Sequence, residues 1–287
     1  MSLDVETAAP GRRWRLRFAP PLTGPGAGRV ETACLALLVA LTLVLPFAHW
    51  LLPAGETEIV GAPFTAPGLQ HWLGTDDQGR DVLSRVVLGL AASWWGVLGI
   101  IAASMLIGTL VGTLAGMLGG WVDLLLMRLT DAVLALPGPL VSLLVVAALG
   151  PGLRNVLLAV TATWWPWYAR IVRGQVRAIR HLPHVDAARS AGLSRVRVAG
   201  LHVLPGVLRS VAVVASLDVG SVLVMLASLS FIGLGAPAPA AEIGSMSADG
   251  FTYLFSAPWI ALAPAAVLFV VTMAANFAGD GVQERIG

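Results

Sequence analysis

Lysine is missing from the 287 residues, so all 18 basic side chains are arginines. A chain without lysine has no Walker A phosphate loop and no lysine-based covalent chemistry. Cysteine occurs once, at Cys34, which excludes an intramolecular disulfide; its place in an apolar run suits a small packing residue. Charge is scarce too, at 12% of residues against 57% hydrophobic. That balance excludes a soluble domain, and the length exceeds what a single membrane anchor needs. No HExxH pair and no GxSxG elbow is present, and the five histidines (His49, His71, His181, His184 and His202) are scattered along the chain. Gly279-Asp280-Gly281 has the look of an intramembrane aspartyl protease. Its aspartate sits at the edge of the tail while Asp218 is at membrane depth, which argues against a catalytic dyad. The chain therefore reads as no enzyme, with no cofactor and no metal bound directly.

What the sequence does have is apolar length. A mean hydropathy of +0.82 implies an all-α, polytopic membrane protein. The pI near 9.3 does not signal a nucleic-acid groove, because the arginines cluster beside the spans, as cytoplasmic loops require. Residues 1–29 are rich in proline and glycine, carry Arg12, Arg13, Arg15, Arg17 and Arg29, and read as a cytoplasmic tail rather than a signal peptide. Six spans are expected: 30–52, 92–118, 129–149, 155–171, 211–232 and 259–277. Residues 53–91 form an outer connector. Within it, Thr75 and Gln78 have capping-box spacing, so an interfacial helix is expected to start at Asp76. The second span repeats small residues at Gly96, Ser104, Gly108, Gly112, Gly116 and Gly120, a spacing that lets helix backbones approach closely. A short turn holding Asp123 and Arg128 is expected to lead into the third span, which Pro137 and Pro139 should bend. That bend either shapes a cavity or serves packing alone. Trp164, Trp165, Trp167 and Tyr168 suit anchoring at the headgroups, with an aromatic substrate wall as the sharper alternative.

Orientation follows from charge. Between positions 170 and 209 the chain has eight arginines and one acid, Asp186, so this loop faces the cytoplasm. Both termini are then inside, and the loops 53–90, 150–153 and 233–257 are outside. Within the cytoplasmic loop, residues 186–206 read as two short helices with a hinge. Pro183 starts the first, Asp186 stands near its positive end and Gly192 ends it in the left-handed conformation. Ser194 caps the second, which should stop before Pro205. Asp218 stands near mid-membrane, where a carboxylate costs several kcal/mol unless paired or hydrated. It either lines a substrate path, contacts a neighbouring subunit, or serves as the proton site of an ion-driven carrier.

Four segments carry a family resemblance. Asp186-Ala187-Ala188, then Gly192, then His202-Val203-Leu204-Pro205 resembles the EAA loop of ABC-importer permeases. His71 to Arg85, HWLGTDDQGRDVLSR, is similar to the HPxGTDxxGRD signature of the C-type subunit in the peptide and nickel subfamily, with Trp72 in place of the usual proline. LSFIGLG at 229–235 and NFAGDG at 276–281 resemble the ends of that family's last two spans. At 218 glycine is usual in the family, and the glutamate usual a few positions later is Leu226 here. The resemblance, spread over 71–282, implies the type I permease fold, with 92–287 as the permease core and 172–207 as the coupling loop. It implies a bacterial inner-membrane subunit that pairs with a second homologous permease, two ATP-binding subunits and an extracytoplasmic binding protein, the partners using ATP. Peptides are the expected cargo, and nickel or a metal chelate is the alternative. Asp186, Ala187, Ala188, Gly192, Leu204 and Pro205 are the expected ATPase-coupling residues, and Asp218 and Pro137 the candidates for the substrate path.

Overall fold

The computed structural model describes residues 27–286, so the arginine-rich tail lies outside the described residues except for its last three positions. Helix α1 (Ala27–Val44) continues through a 3₁₀ turn (Leu45–Phe47) into α2 (Ala48–Leu51). Together they make a 24-residue, predominantly apolar stretch from Gly28 to Leu51, enough to cross roughly 30 Å of hydrocarbon. Helix α3 (Val82–Leu118) follows, then α4 (Gly120–Leu134), α5 (Gly138–Leu149) and α6 (Leu153–Ile179). A short helical pair, α7 (Pro183–Ser190) and α8 (Arg195–Val198), leads through a π turn (Ala199–Val203) into α9 (Leu204–Phe231). Helices α10 (Ile243–Phe251) and α11 (Trp259–Ile286) complete the chain. Four helical stretches are long and apolar enough to span, and α4 with α5 makes a fifth, broken span. Helix α6 has an uncharged stretch at 155–169, bounded by Arg154 and Arg170.

Three expectations need correction. The interfacial helix does not start at Asp76: Thr75 pairs with Asp81 in an isolated bridge, and the turn at 76–79 delays the helix until Val82. Asp81 is the cap, its Oδ2 accepting the Ser84 N–H at 2.8 Å, so the capping carboxylate belongs to the later acid of the run. Interfacial helix and second span are consequently one helix of 37 residues. Asp123 and Arg128 lie within α4 and not in a turn, because the chain re-enters helix directly after Gly119. The third span is broken rather than bent. Its halves meet at 89°, since Pro137 and Pro139 both withhold an N–H and Pro137 itself is the N-cap of α5.

The expected close approach along α3 is present, and its partner is α6. A Cβ on Gly112 would fall 2.5 Å from the Ala169 carbonyl oxygen, and one on Gly116 would fall 2.6 Å from Val176. Gly108 is as tightly covered by Tyr168. Without a side chain at these positions the two backbones meet, and dispersion takes over where lipid supplies no hydrophobic push. The main core gathers Val86, Trp94, Ile100, Val156, Leu223 and Leu226 among others, and a second cluster joins α6 to α7, α8 and the start of α9.

Candidate functional site: the coupling loop and a mid-membrane carboxylate

The loop between α6 and α9 folds as expected up to its second half. Pro183 opens α7, and Asp186 lies in its first turn, more than half exposed and bonded to Arg189 Nη1 at 3.3 Å. The helix closes with Gly192 N–H donating to the Arg189 carbonyl at 2.9 Å. Gly192 has φ +85° and open space around it, so it is needed for backbone shape and not for packing. Ser194 Oγ accepts from Arg197 N–H, capping α8. The second helix does not stop before Pro205, contrary to the sequence reading. A π turn absorbs the change of register, and Pro205 falls in the first turn of α9, where no N–H is required.

The six expected coupling residues divide by burial. Asp186, Ala187, Gly192 and Pro205 are exposed, Leu204 is half-buried, and Ala188 is buried. Ala188 and Val185 face inward, joining Val198, Val203, Val207 and the α6 residues Tyr168, Val172 and Val176 in the second cluster. Thus one face of α7 plugs the loop into the span bundle while the other stays open. Val196, 82% exposed, adds an apolar point to that open surface that sequence reasoning missed.

Also missed was the tie above the loop. Asp123 on α4 is buried and accepts from Arg173 Nη2 at 2.7 Å and from Arg177 Nη2. Arg180 Nη1 donates to the Gly116 carbonyl at 2.7 Å, fastening the end of α3 to the same helix. The signal was available: a lone acid in an apolar run and two arginines one helical turn apart. A cavity of about 630 Å³ opens beside it, lined by Asp123, Arg128, Asp131, Arg170 and Arg173.

At the opposite end of the bundle the GTDDQGRD segment is structural. Asp76 accepts from Gln78 N–H and Arg80 N–H, each at 2.9 Å, and from Arg80 Nε at 2.6 Å. Arg85 is buried and donates to the carbonyls of Glu56 and Pro239. Gly79, at φ +80°, lies against the Gly61 carbonyl with no room for a side chain. Trp259 Nε1 donates to the Thr75 carbonyl at 3.1 Å. The segment therefore clamps the connector, α3 and the outer ends of α10 and α11 together. Glu242, the residue before α10, is fully buried beside Ser230, with Oε2 accepting from Ala236 N–H at 3.1 Å. Burial pushes its carboxyl above the ordinary range, and the nearby Ser230 hydroxyl and the Ala236 N–H pull the other way.

Asp218 projects from α9 toward α6. Trp164 Nε1 donates to its Oδ2 at 3.2 Å. Tyr168, one turn further along α6 and fully buried, lies beside the same carboxylate but outside hydrogen-bonding geometry. Pro137 stands exposed at the α4–α5 break. Trp164 and Tyr168 are thus partners of the carboxylate, a role the headgroup reading did not give them.

Comparison with known proteins identifies the surroundings of this site. Residues 108–287 match the family model described as binding-protein-dependent transport system inner membrane component. Over 289 residues, all of this chain and 97% of the relative, it is 36% identical to the "Probable D,D-dipeptide transport system permease protein DdpC" of Escherichia coli (strain K12). It is 38% identical over 254 residues, 88% of this chain and 84% of the relative, to the glutathione transport system permease protein GsiD of Escherichia coli O157:H7. Among solved structures, an amino acid ABC transporter aligns with TM-score 0.54 at 15% identity, covering 71% of this chain and 94% of that one. The MetNI methionine ABC transporter aligns with TM-score 0.50 at 17% identity, covering 69% and 96%. At that identity the likeness is one of fold.

Proposed function

From the premise that the chain belongs to the family of binding-protein-dependent transport system inner membrane components, we propose that it carries di- and oligopeptides through the cytoplasmic membrane as one half of a permease heterodimer. It is the permease subunit of an ABC importer and works with ATP-binding subunits and a binding protein. The single observation that carries the cargo is the full-length similarity to a D,D-dipeptide permease, seconded by the glutathione permease. Nickel, the alternative, gains nothing from these relatives.

The proposed mechanism is alternating access. ATP, bound and hydrolysed by the partner subunits, closes the ATPase pair. The open face of α7 and α8, with Asp186, Ala187, Gly192 and Val196, then moves as a lever. Its inward face, Val185 and Ala188, transmits the motion to α6 and α9, with which it shares one apolar cluster. Leu204 and Pro205 join the lever to α9 without a break in the helix. Both termini are cytoplasmic in this scheme.

The test is ATP hydrolysis by the complex purified with its co-encoded subunits and reconstituted in lipid, with binding protein either empty or loaded with a dipeptide mixture. Stimulation by the loaded form is expected. ATPase activity indifferent to peptides would retain the importer and overturn the cargo.

A further inference from the structure

Asp218 sits at the centre of the 28-residue helix α9, about 20 Å from either end at 1.5 Å per residue. It is half-buried, so part of the residue looks out of the protomer. A carboxylate facing hydrocarbon at that depth costs several kcal/mol, and the open side must therefore meet water or protein. Inside, its neighbours are two neutral aromatic donors. Trp164 Nε1 reaches Oδ2 at 3.2 Å, and the Tyr168 hydroxyl lies alongside without a hydrogen-bond partner of its own. Among the described residues no basic side chain forms an ion pair with Asp218. The contrast within this molecule is instructive, because Asp76, Asp81, Asp123 and Asp131 each hold an arginine or histidine within 3.2 Å. Asp218 is a positioned carboxylate that lacks its cation.

We propose that Asp218, bonded to Trp164 with Tyr168 alongside, lines the translocation path and receives the ammonium group at the free N-terminus of a passing peptide. The idea rests on the peptide-importer reading above. The α-amino group of a peptide has a pKa of about 8 and is charged at neutral pH, so it needs a counter-charge in the region where water is scarcest. A carboxylate supplies it without holding the cargo at the side-chain level, which leaves the peptide sequence open. The indole and phenol keep the carboxylate aimed from one side and do not compete as cations would.

The experiment measures uptake by the reconstituted complex with its binding protein of a radiolabelled dipeptide and of its N-acetylated counterpart, for wild type, Asp218→Asn and Trp164→Phe. Wild type should favour the free amine, and Asp218→Asn should lower kcat/KM for the free amine about tenfold or more, as expected for losing one charge-assisted hydrogen bond, while leaving the acetylated peptide unchanged. Trp164→Phe, which keeps the charge but frees it, should reduce the same preference. Equal losses for both peptides, or none for either, would make Asp218 a tie between α6 and α9 or a contact to the second permease, and would overturn the proposal. If Asp218→Asn does not assemble, the ratio in Trp164→Phe decides, a drop supporting the ammonium site and an unchanged ratio sinking it. Wild-type complex that takes up neither peptide while another loaded cargo stimulates its ATPase overturns the peptide reading as well.

Discussion

Ala188 and Gly192 are both small, and the structure gives them opposite tasks. Ala188 is 7% exposed among valines, so Ala188→Arg would drive a guanidinium into the cluster that joins the loop to α6 and α9. Overpacking alone costs about 1–3 kcal/mol, and the buried charge adds to it. Peptide-stimulated ATPase activity should be lost while membrane insertion stays normal; stimulation at the wild-type level would show that α7 transmits nothing through this face. Gly192→Ala meets no atom and suffers only the left-handed backbone, about 1–2 kcal/mol. It should reduce coupling partly, whereas Gly192→Pro, unable to adopt φ +85°, should abolish it. The other informative residue is Glu242, whose carboxyl is fully buried at the start of α10. A carboxyl raised by burial stabilises the fold when protonated, and that contribution fades as pH climbs from its unfolded value, about 4.3, through the raised folded one. Glu242→Gln should therefore flatten the decline in melting temperature of the purified complex from pH 5 to pH 8. A decline of the same depth in both proteins would place the titration elsewhere.

At the level of elements, the spacing of glycines along α3 was legible because a repeat every fourth residue marks one helix face. The helix that fills that face was not, since nothing in a single sequence pairs Gly112 with Ala169. Gly112→Val should separate α3 from α6 and lower the yield and melting temperature of the complex, the backbone contact at 2.5 Å leaving no rotamer that avoids it. An unchanged melting temperature would mean the two helices do not meet as described. Pro137 and Pro139 announced a disturbance, yet a proline kink and an 89° break have the same residue signature. The size of the break depends on packing, here of α5 on α6, where Ser142 Oγ lies 3.2 Å from Thr163 Oγ1. Local capping rules failed at Thr75 for a related reason. Its hydroxyl is occupied across the connector, donating to the Ala62 carbonyl at 2.7 Å, and is not available to start a helix. Short-range signals such as Gly192 and Ser194 read true because their partners lie within four residues. The Asp123 tie did not, because its arginines lie 50 and 54 residues away.

Across the whole molecule, charge assigns the sides of the membrane, and the structure offers positions from which to test that assignment. In the proposed orientation the crossings alternate from an inside N-terminus, with the arginine-rich loop of α7 and α8 in the cytoplasm and the connector and α10 segment outside. The proposed lever and the proposed ammonium site both require it, since cargo would meet Asp218 from the outer face before ATP acts from the inner one. One native cysteine makes the test clean: Cys34→Ser removes it, and its partly buried, packing role predicts little cost. In that background a cysteine replaces Leu69 or Phe255, 98% and 102% exposed on the outer loops, or Val196, 82% exposed on the coupling surface. A membrane-impermeant maleimide should label the first two in intact spheroplasts and the third only after permeabilisation. Labelling of Val196→Cys from outside would invert the topology and remove the coupling surface from the reach of any ATPase.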